Sequence, residues 1–255
     1  MDFKNAQVLI TGGSKGIGKG LAALFIKAGS DVLITGRNAE KLQNAANELP
    51  GIKTYVNDIG DPEQRELLAQ HVRETMPGLN VIINNAGIQR RVALAIDNAP
   101  WGDRQAEIDI LLSAPIHLNH LLISLLLQGD KQSLIVNVSS GGAFIPQVFA
   151  PVYSACKAAV HSYTMVLRHS LVNTNCGVVE LVPPAVQTAL AGSGLNHGAP
   201  LDEFCNAVFN KLVLGEDDEI GFGATENLSV ELSGKPLKDI FKASSTRFPV
   251  QVYTS

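Results

Sequence analysis

Val8-Leu9-Ile10-Thr11-Gly12-Gly13-Ser14-Lys15-Gly16-Ile17-Gly18 is the stretch that decides the fold. An apolar run gives way to a glycine-rich turn, and the turn to a segment of helical period, Ile17–Ala28. A strand therefore hands over directly to a helix. Glycines at 12, 16 and 18 let the backbone approach a pyrophosphate, and the helix N-terminus offers free N–H groups and a positive dipole end. The spacing is G-x-x-x-G-x-G, not the common G-x-G-x-x-G, so the turn needs support from the rest of the chain. Gly13-x-x-x-x-Gly18-Lys19 nearly completes a P-loop. Gly20 then stands where a Mg²⁺-holding hydroxyl belongs, which argues against an NTPase.

Further along, short apolar runs alternate with helix-period segments. Strands are expected at Gln7–Thr11, Asp31–Thr35, Lys53–Val56, Leu79–Asn84, Leu134–Ser139 and Val178–Val182. Helices are expected at Ile17–Ala28, Ala39–Leu49, Pro62–Met76, Gln105–Leu127, Val152–Val172 and Leu201–Leu214. Asp61 before Pro62 reads as an N-cap with proline at the first helical position. The strands are continuous apolar runs, as in a parallel sheet buried on both faces. The expectation is a single α/β domain of 255 residues, a doubly wound, Rossmann-like parallel sheet in three layers. Ala189 to Pro200 lacks helical period, and residues 189–205 are a candidate substrate lid. Gly215-Glu216-Asp217-Asp218-Glu219 reads as a solvated turn. The last twenty or so residues have weak period and are left unplaced.

Composition narrows the function. Hydrophobic residues make up 45%, charged residues 17%, and the net charge is -4. Lys and Arg do not cluster, so nucleic acid is not an expected partner. Cys156, Cys176 and Cys205 form neither a zinc pattern nor a disulfide framework. The N-terminus lacks a signal-peptide core, and Leu121 to Leu127 is too short to span a bilayer. A cytoplasmic protein without membrane partners is expected.

The second strand ends in Thr35-Gly36-Arg37-Asn38. Dinucleotide folds that prefer NAD carry an acidic residue there for the ribose 2′-OH. Here Gly36 takes that place, with Arg37 next to it and Lys15 in the first turn. These cations favour a 2′-phosphate, so the expected cofactor is NADP(H).

Tyr153-Ser154-Ala155-Cys156-Lys157 puts a phenol and an amine on one helix face. Free Tyr titrates near 10, and a neighbouring ammonium favours the phenolate. Tyr153 can then trade a proton with a carbonyl or alcohol oxygen. Ser140, thirteen residues upstream at a strand end, can hold the same oxygen. Ser140 is not in a G-x-S-x-G elbow, so a hydrolase reading fails.

Thr11-Gly12-x-x-x-Gly16-Ile17-Gly18, Asn84-Asn85-Ala86-Gly87, Ser140, Tyr153-x-x-x-Lys157 and Pro183-Pro184 with Thr188 run in one order over roughly residues 5 to 190. In that order the chain resembles the short-chain dehydrogenase/reductase family. Pro184, Ala114-Pro115-Ile116 and Pro151-Val152-Tyr153 resemble its DltE-like bacterial subgroup. The resemblance implies that Tyr153 is the acid/base, Ser140 orients the carbonyl, and Lys157 also binds the nicotinamide ribose. It implies a cofactor bordered by Gly12, Ser14, Lys15, Gly16, Ile17, Gly18, Arg37 and Asn38 in the first half of the site. It adds Asp58, Ile59, Asn84, Ala86, Gly87, Pro183, Val186 and Thr188.

The family's usual Asn in the long helix before the Ser strand is missing. Alignment places Leu111 or Ser113 there. A relay through Ser113 or a backbone carbonyl, reduced activity, and loss of catalysis all stay open. The enzyme reading is an NADP(H)-dependent oxidoreductase acting on a ketone, aldehyde or secondary alcohol. The alternatives are a non-catalytic NADP(H)-binding sensor or scaffold, and an NAD-preferring dehydrogenase. Asn119 is expected at the surface or an interface, and His117-x-x-His120 lacks the further ligands of a metal site. Phe144, Ile145, Val148, Phe149 and Leu190 are candidate pocket residues. The helices Gln105–Leu127 and Val152–Val172 are apolar beyond one face, so a homodimer or homotetramer is expected.

Overall fold

The computed structural model describes residues 1–191, 198–215 and 217–252. Among these residues, seven strands form one sheet: β1 (Gln7–Thr11), β2 (Asp31–Gly36), β3 (Lys53–Val56), β4 (Leu79–Asn84), β5 (Ser133–Val138), β6 (Cys176–Val182) and β7 (Glu219–Gly221). The order is β3-β2-β1-β4-β5-β6-β7, and every pairing is parallel. The strand order reverses at β1, so a crevice opens beyond its C-terminal end, where open α/β sheets bind ligands.

Alternation along each strand explains the three layers. Val8 and Ile10 of β1, with Val81 and Ile83 of β4, face one core. Leu9 and Ile82 face the other. The first core is covered by α1 (Gly16–Lys27), α2 (Ala39–Glu48) and α7 (Leu201–Leu214), through Leu21, Phe25, Leu42, Phe204 and Val208. The second is covered by α3 (Pro62–Thr75), α5 (Ala114–Leu126) and α6 (Pro151–Ser170), through Leu68, Val72, Leu118, Leu122 and Leu167. Each fully buried side chain of this size is worth about 1.5–3 kcal/mol. Asp61 caps α3 as expected, its carboxylate accepting from Glu63 N and Gln64 N.

Three expectations need correction. The single helix Gln105–Leu127 is α4 (Trp101–Ile108), a π-helical turn at Asp109–Ser113, and then α5. This helical run is apolar and long enough to cross a bilayer. Leu118, Leu122, Leu125 and Leu126 bury against the sheet, so it is a core helix. The supposed turn Gly215–Glu219 ends inside the sheet: Gly215 caps α7 in the left-handed conformation, and Glu219 opens β7. Glu216 lies outside the described residues. The unplaced C-terminal region contains α8 (Leu228–Leu232) and α9 (Leu237–Arg247).

Candidate active site

The glycine turn is held by side chains from β1 and the end of β4. Thr11 Oγ1 accepts from the Asn85 and Ala86 amides at 3.1 and 3.0 Å, and Asn85 Nδ2 donates to Thr11 O and Gly12 O. Gly12 has φ +67°, and a Cβ there would stand 2.8 Å from Ala86 Cα. At Gly18 a Cβ would meet Asn85 Nδ2 at 2.5 Å and Gly12 O at 2.7 Å. Gly18 therefore permits the close packing of α1 on the turn and does not itself face the crevice. The first turn of α1 has neither a side-chain cap nor a carboxylate, so its amides are available to an anion.

A cavity of about 390 Å³ opens at this point. Gly12, Ser14, Lys15, Gly16, Ile17, Arg37, Asn38, Asp58, Ile59, Ala86, Gly87 and Thr188 of the expected set line it. Lys41, Asn57 and Gln187 line it too and were missed, for want of any motif around them. Asn38 also caps α2, accepting from Lys41 N at 2.8 Å. The cation-only reading of the β2 end is incomplete, because Asp58 Oδ2 lies 4.0 Å from Arg37 Nη1. Both side chains are about half exposed, so this is a weak ion pair that leaves the guanidinium at the cavity mouth.

Asn84, Pro183, Val186, Tyr153 and Lys157 do not line that cavity. Val186 is buried and bridges Ala199, and Pro183 O accepts from Gly141 N. Asn84 sits behind the crevice, where Nδ2 donates to Asn119 Oδ1 at 2.8 Å and to Asn137 Oδ1 at 2.9 Å. Asn137 passes the network to Thr164 Oγ1 at 3.0 Å. Asn119 is therefore a core residue, 1% exposed, contrary to its expected surface position. Asn84, Asn137 and Lys157 also border a void of about 10 Å³ beside Leu111.

Ser140, Tyr153 and Lys157 converge at the ends of β5 and β6. Ser140 Oγ accepts from Gly142 N at 3.1 Å and hydrogen-bonds to the Tyr153 side chain. Lys157 Nζ donates to Val138 O at 2.7 Å and stands 5.7 Å from the Tyr153 ring centre. Burial lowers Lys157 to about 8. The expectation that Lys157 depresses the Tyr153 pKa is not met: burial raises it, and only the Ser140 hydrogen bond opposes that. Tyr153 is almost wholly buried and Lys157 Nζ stands 5.7 Å from its ring centre, so in the nucleotide-free protein the desolvation of the phenol outweighs the attraction of the lysine. Leu111, in the π turn, is buried and packs against Tyr153, Ala150 and Cys156.

The expected lid divides. Ala189–Ala191 forms a short 3-10 turn, 192–197 lie outside the described residues, and 201–205 belong to α7. A second, apolar groove of about 430 Å³ runs between Leu94, Pro146, Val148, Ser154 and Ala158 on one side and Phe241 and Val252 on the other. Of the candidate pocket residues only Val148 lines it. Leu190 borders the cavity at the glycine turn, Phe144 lies against His161, and Phe149 lies against Phe248.

The family model for short chain dehydrogenases matches residues 6–197, which takes in the glycine turn, Ser140, Tyr153 and Lys157. The chain belongs to the short-chain dehydrogenase family. It is 41% identical over 190 residues to the uncharacterized oxidoreductase DltE of Bacillus subtilis (strain 168), covering 74% of this chain and 75% of that protein. An uncharacterized oxidoreductase of Staphylococcus aureus (strain USA300) is 30% identical over 187 residues, covering 72% and 80%. In fold it resembles a short chain dehydrogenase from Burkholderia cenocepacia J2315 solved with NADP (TM-score 0.81, 21% identity, 98% of this chain and 100% of that one). It also resembles a short chain dehydrogenase/reductase from Burkholderia phymatum solved with NAD (TM-score 0.83, 18% identity, 99% and 100%). This short-chain dehydrogenase has Ser140, Tyr153, Lys157 and the glycine turn at the C-terminal edge of its sheet.

Proposed function

We propose that the protein is an NADP(H)-dependent carbonyl reductase that acts in the cytoplasm on a ketone or aldehyde. The observation that carries this reading is the Ser140–Tyr153–Lys157 group at the strand ends, next to a cavity bordered by glycines and by Lys15, Arg37 and Lys41. The residues fit a dinucleotide. The uncapped first turn of α1 suits a pyrophosphate, Asp58 and Ile59 line the cavity where they would border a base, and three cations stand near the β2 end. When bound, the nicotinamide supplies the hydride.

The chain's own residues handle the proton. Tyr153 is neutral at physiological pH because burial raises its pKa, so it arrives as a proton donor. Ser140 holds the substrate oxygen beside it. As the carbonyl oxygen takes the phenolic proton, the Lys157 ammonium stabilises the phenolate left behind. Reduction is the direction we propose because NADPH pools are usually kept reduced, and a protonated Tyr153 suits it as the proton donor. The exposed Ile116, Met165 and Val166 on α5 and α6 support a homodimer or homotetramer.

Two specific observations favour other readings. Asp58 near Arg37 offers the carboxylate an NAD-preferring enzyme would use. Leu111 against Tyr153 supports a non-catalytic binding protein, since leucine cannot hold a relay water. The deciding experiment follows NADPH and NADH oxidation over a panel of aldehydes and ketones, with Tyr153→Phe beside the wild type. The expected result is NADPH-dependent turnover that falls by at least ~10³-fold in the variant while nucleotide binding is retained. Equal rates in both proteins would refute the role of Tyr153.

A further inference from the structure

We propose that His161, Glu180 and Glu219 form a binding site for one divalent transition-metal ion, with Zn²⁺ the best match to the donors. The site lies on the β6–β7 side of the sheet, one helical turn beyond Lys157 on α6. Glu180 and Glu219 are register partners on adjacent parallel strands. Their side chains therefore leave the same face of the sheet, from strands about 4.8 Å apart. Two carboxylates so placed repel, and the arrangement needs positive charge between them.

The imidazole of His161 closes the third side. Its Nδ1 lies 2.7 Å from Glu180 Oε2, and one ligand atom from each residue falls within 4.8 Å of the other two. Glu180 is 1% exposed, yet its Oε1 has no hydrogen-bond partner in the structure. A buried carboxylate oxygen left unpaired is costly, and a cation is the partner that satisfies it together with its neighbour. That orphaned oxygen separates this cluster from an ordinary surface group of acidic residues.

The donor set fits the ion. One imidazole and two carboxylates supply three ligands of total charge -2, leaving a position for water. His161 and Glu219 are half-buried, so an ion can enter from solvent. The surroundings already orient the ligands. Ser229 Oγ donates to Glu219 Oε1 at 2.9 Å, and Phe144 lies 4.6 Å from the His161 ring centre. Such outer partners are what fix ligating side chains in place. Around a tetrahedral ion, ligand atoms stand roughly 3.4 Å apart, so filling the site requires the His161–Glu180 pair to open from 2.7 Å while the ion takes the place of the proton between them. The ion would tie α6, which carries Tyr153 and Lys157, to the last two strands. The proposal concerns residues outside the proton-transfer group, and its test needs no turnover.

The test uses the full chain stripped with EDTA, freed of chelator, and titrated with ZnCl₂ by calorimetry. Co²⁺ then reports coordination through its visible absorbance. One ion per chain is expected, with affinity reduced at least tenfold in Glu219→Gln and in His161→Phe. Zn²⁺ should raise the melting temperature of the wild type and of neither variant. No binding by the wild type overturns the proposal and leaves a protonated His161 as the bridge between the carboxylates. Binding undiminished in Glu219→Gln also overturns it, placing the ion elsewhere, for instance on the thiols. Should His161→Phe fail to fold, Glu219→Gln decides alone, since it is nearly isosteric and half-buried.

Discussion

Replacing Lys157 by Met should make the nucleotide-free protein relatively more stable at neutral pH than at high pH, while removing its catalytic amine. The buried ammonium titrates at about 8 instead of the ordinary 10.5. Burial is the main cause, and Glu180 opposes it only in part. That difference costs the folded state on the order of 3 kcal/mol wherever lysine is charged in both states. Between pH 8 and 10.5 the folded chain binds fewer protons here than the unfolded chain. The penalty is therefore full below about 8 and fades as pH rises toward 10.5. Methionine keeps the aliphatic stem and carries no such penalty. It also abandons the Val138 carbonyl, whose 2.7 Å hydrogen bond is lost at a cost of about 1–3 kcal/mol.

These two effects nearly cancel at pH 6.5, where the variant should be stabilised by about 0–2 kcal/mol. Only the first depends on pH. The difference between variant and wild type should thus move by about 2 kcal/mol in favour of the wild type between pH 6.5 and 9.5. Urea unfolding of both proteins across that range, at constant ionic strength and followed by circular dichroism, measures it. Parallel pH profiles would refute the reasoning, because they would mean that Lys157 is not desolvated in the folded state.

Arg37→Ala should weaken NADPH about tenfold, with NADH nearly unaffected, because a half-exposed guanidinium on a 2′-phosphate is worth about 1.4 kcal/mol. Fluorescence titration with both nucleotides checks this. Gly18→Ala forces a methyl within 2.7 Å of Gly12 O and should cost about 1–3 kcal/mol, read as a lower urea midpoint together with weakened nucleotide binding. Asn119→Leu removes a partner of the buried Asn84 amide and should also cost about 1–3 kcal/mol, an effect absent if the residue were on the surface.

The sheet was legible because both its faces are buried. Runs such as Val8-Leu9-Ile10 and Val81-Ile82-Ile83 have no other good use, and glycine after the first of them marks the crevice. The site was legible wherever backbone geometry demanded particular residues, as at Gly12, or where spacing joined two side chains, as at Tyr153 and Lys157. What escaped depended on tertiary surroundings. β7 is three residues long and has too little pattern to stand out among Asp217, Asp218 and Glu219. Lys41 reaches the cavity only because α2 starts beside it. Nothing local to Tyr153 tells that it is buried deeply enough for desolvation to outweigh a nearby lysine. Asn119 was misjudged because helical period alone cannot say which of two apolar faces meets the sheet, and here a buried asparagine chain crosses that face.

The π turn at Asp109–Ser113 has a consequence for how one stripe of sequence is used. Glu107, Leu111, Ala114, Leu118, Leu122 and Leu125 recur at the spacing of a single helix face, and all are buried. In an unbroken α-helix they would serve one partner. One extra residue in the turn advances everything beyond it by about 100°. The stripe is thereby split in phase. Its first part looks toward Arg90 and α6, with Glu107 Oε1 accepting from Arg90 N at 3.0 Å. Its second part looks toward β4 and β5. The widened turn thus works as a phase shifter, letting one hydrophobic pattern build the wall of the site and the core of the sheet. Deleting a single residue within it would bring the two halves back into step and turn one of them away from its partner.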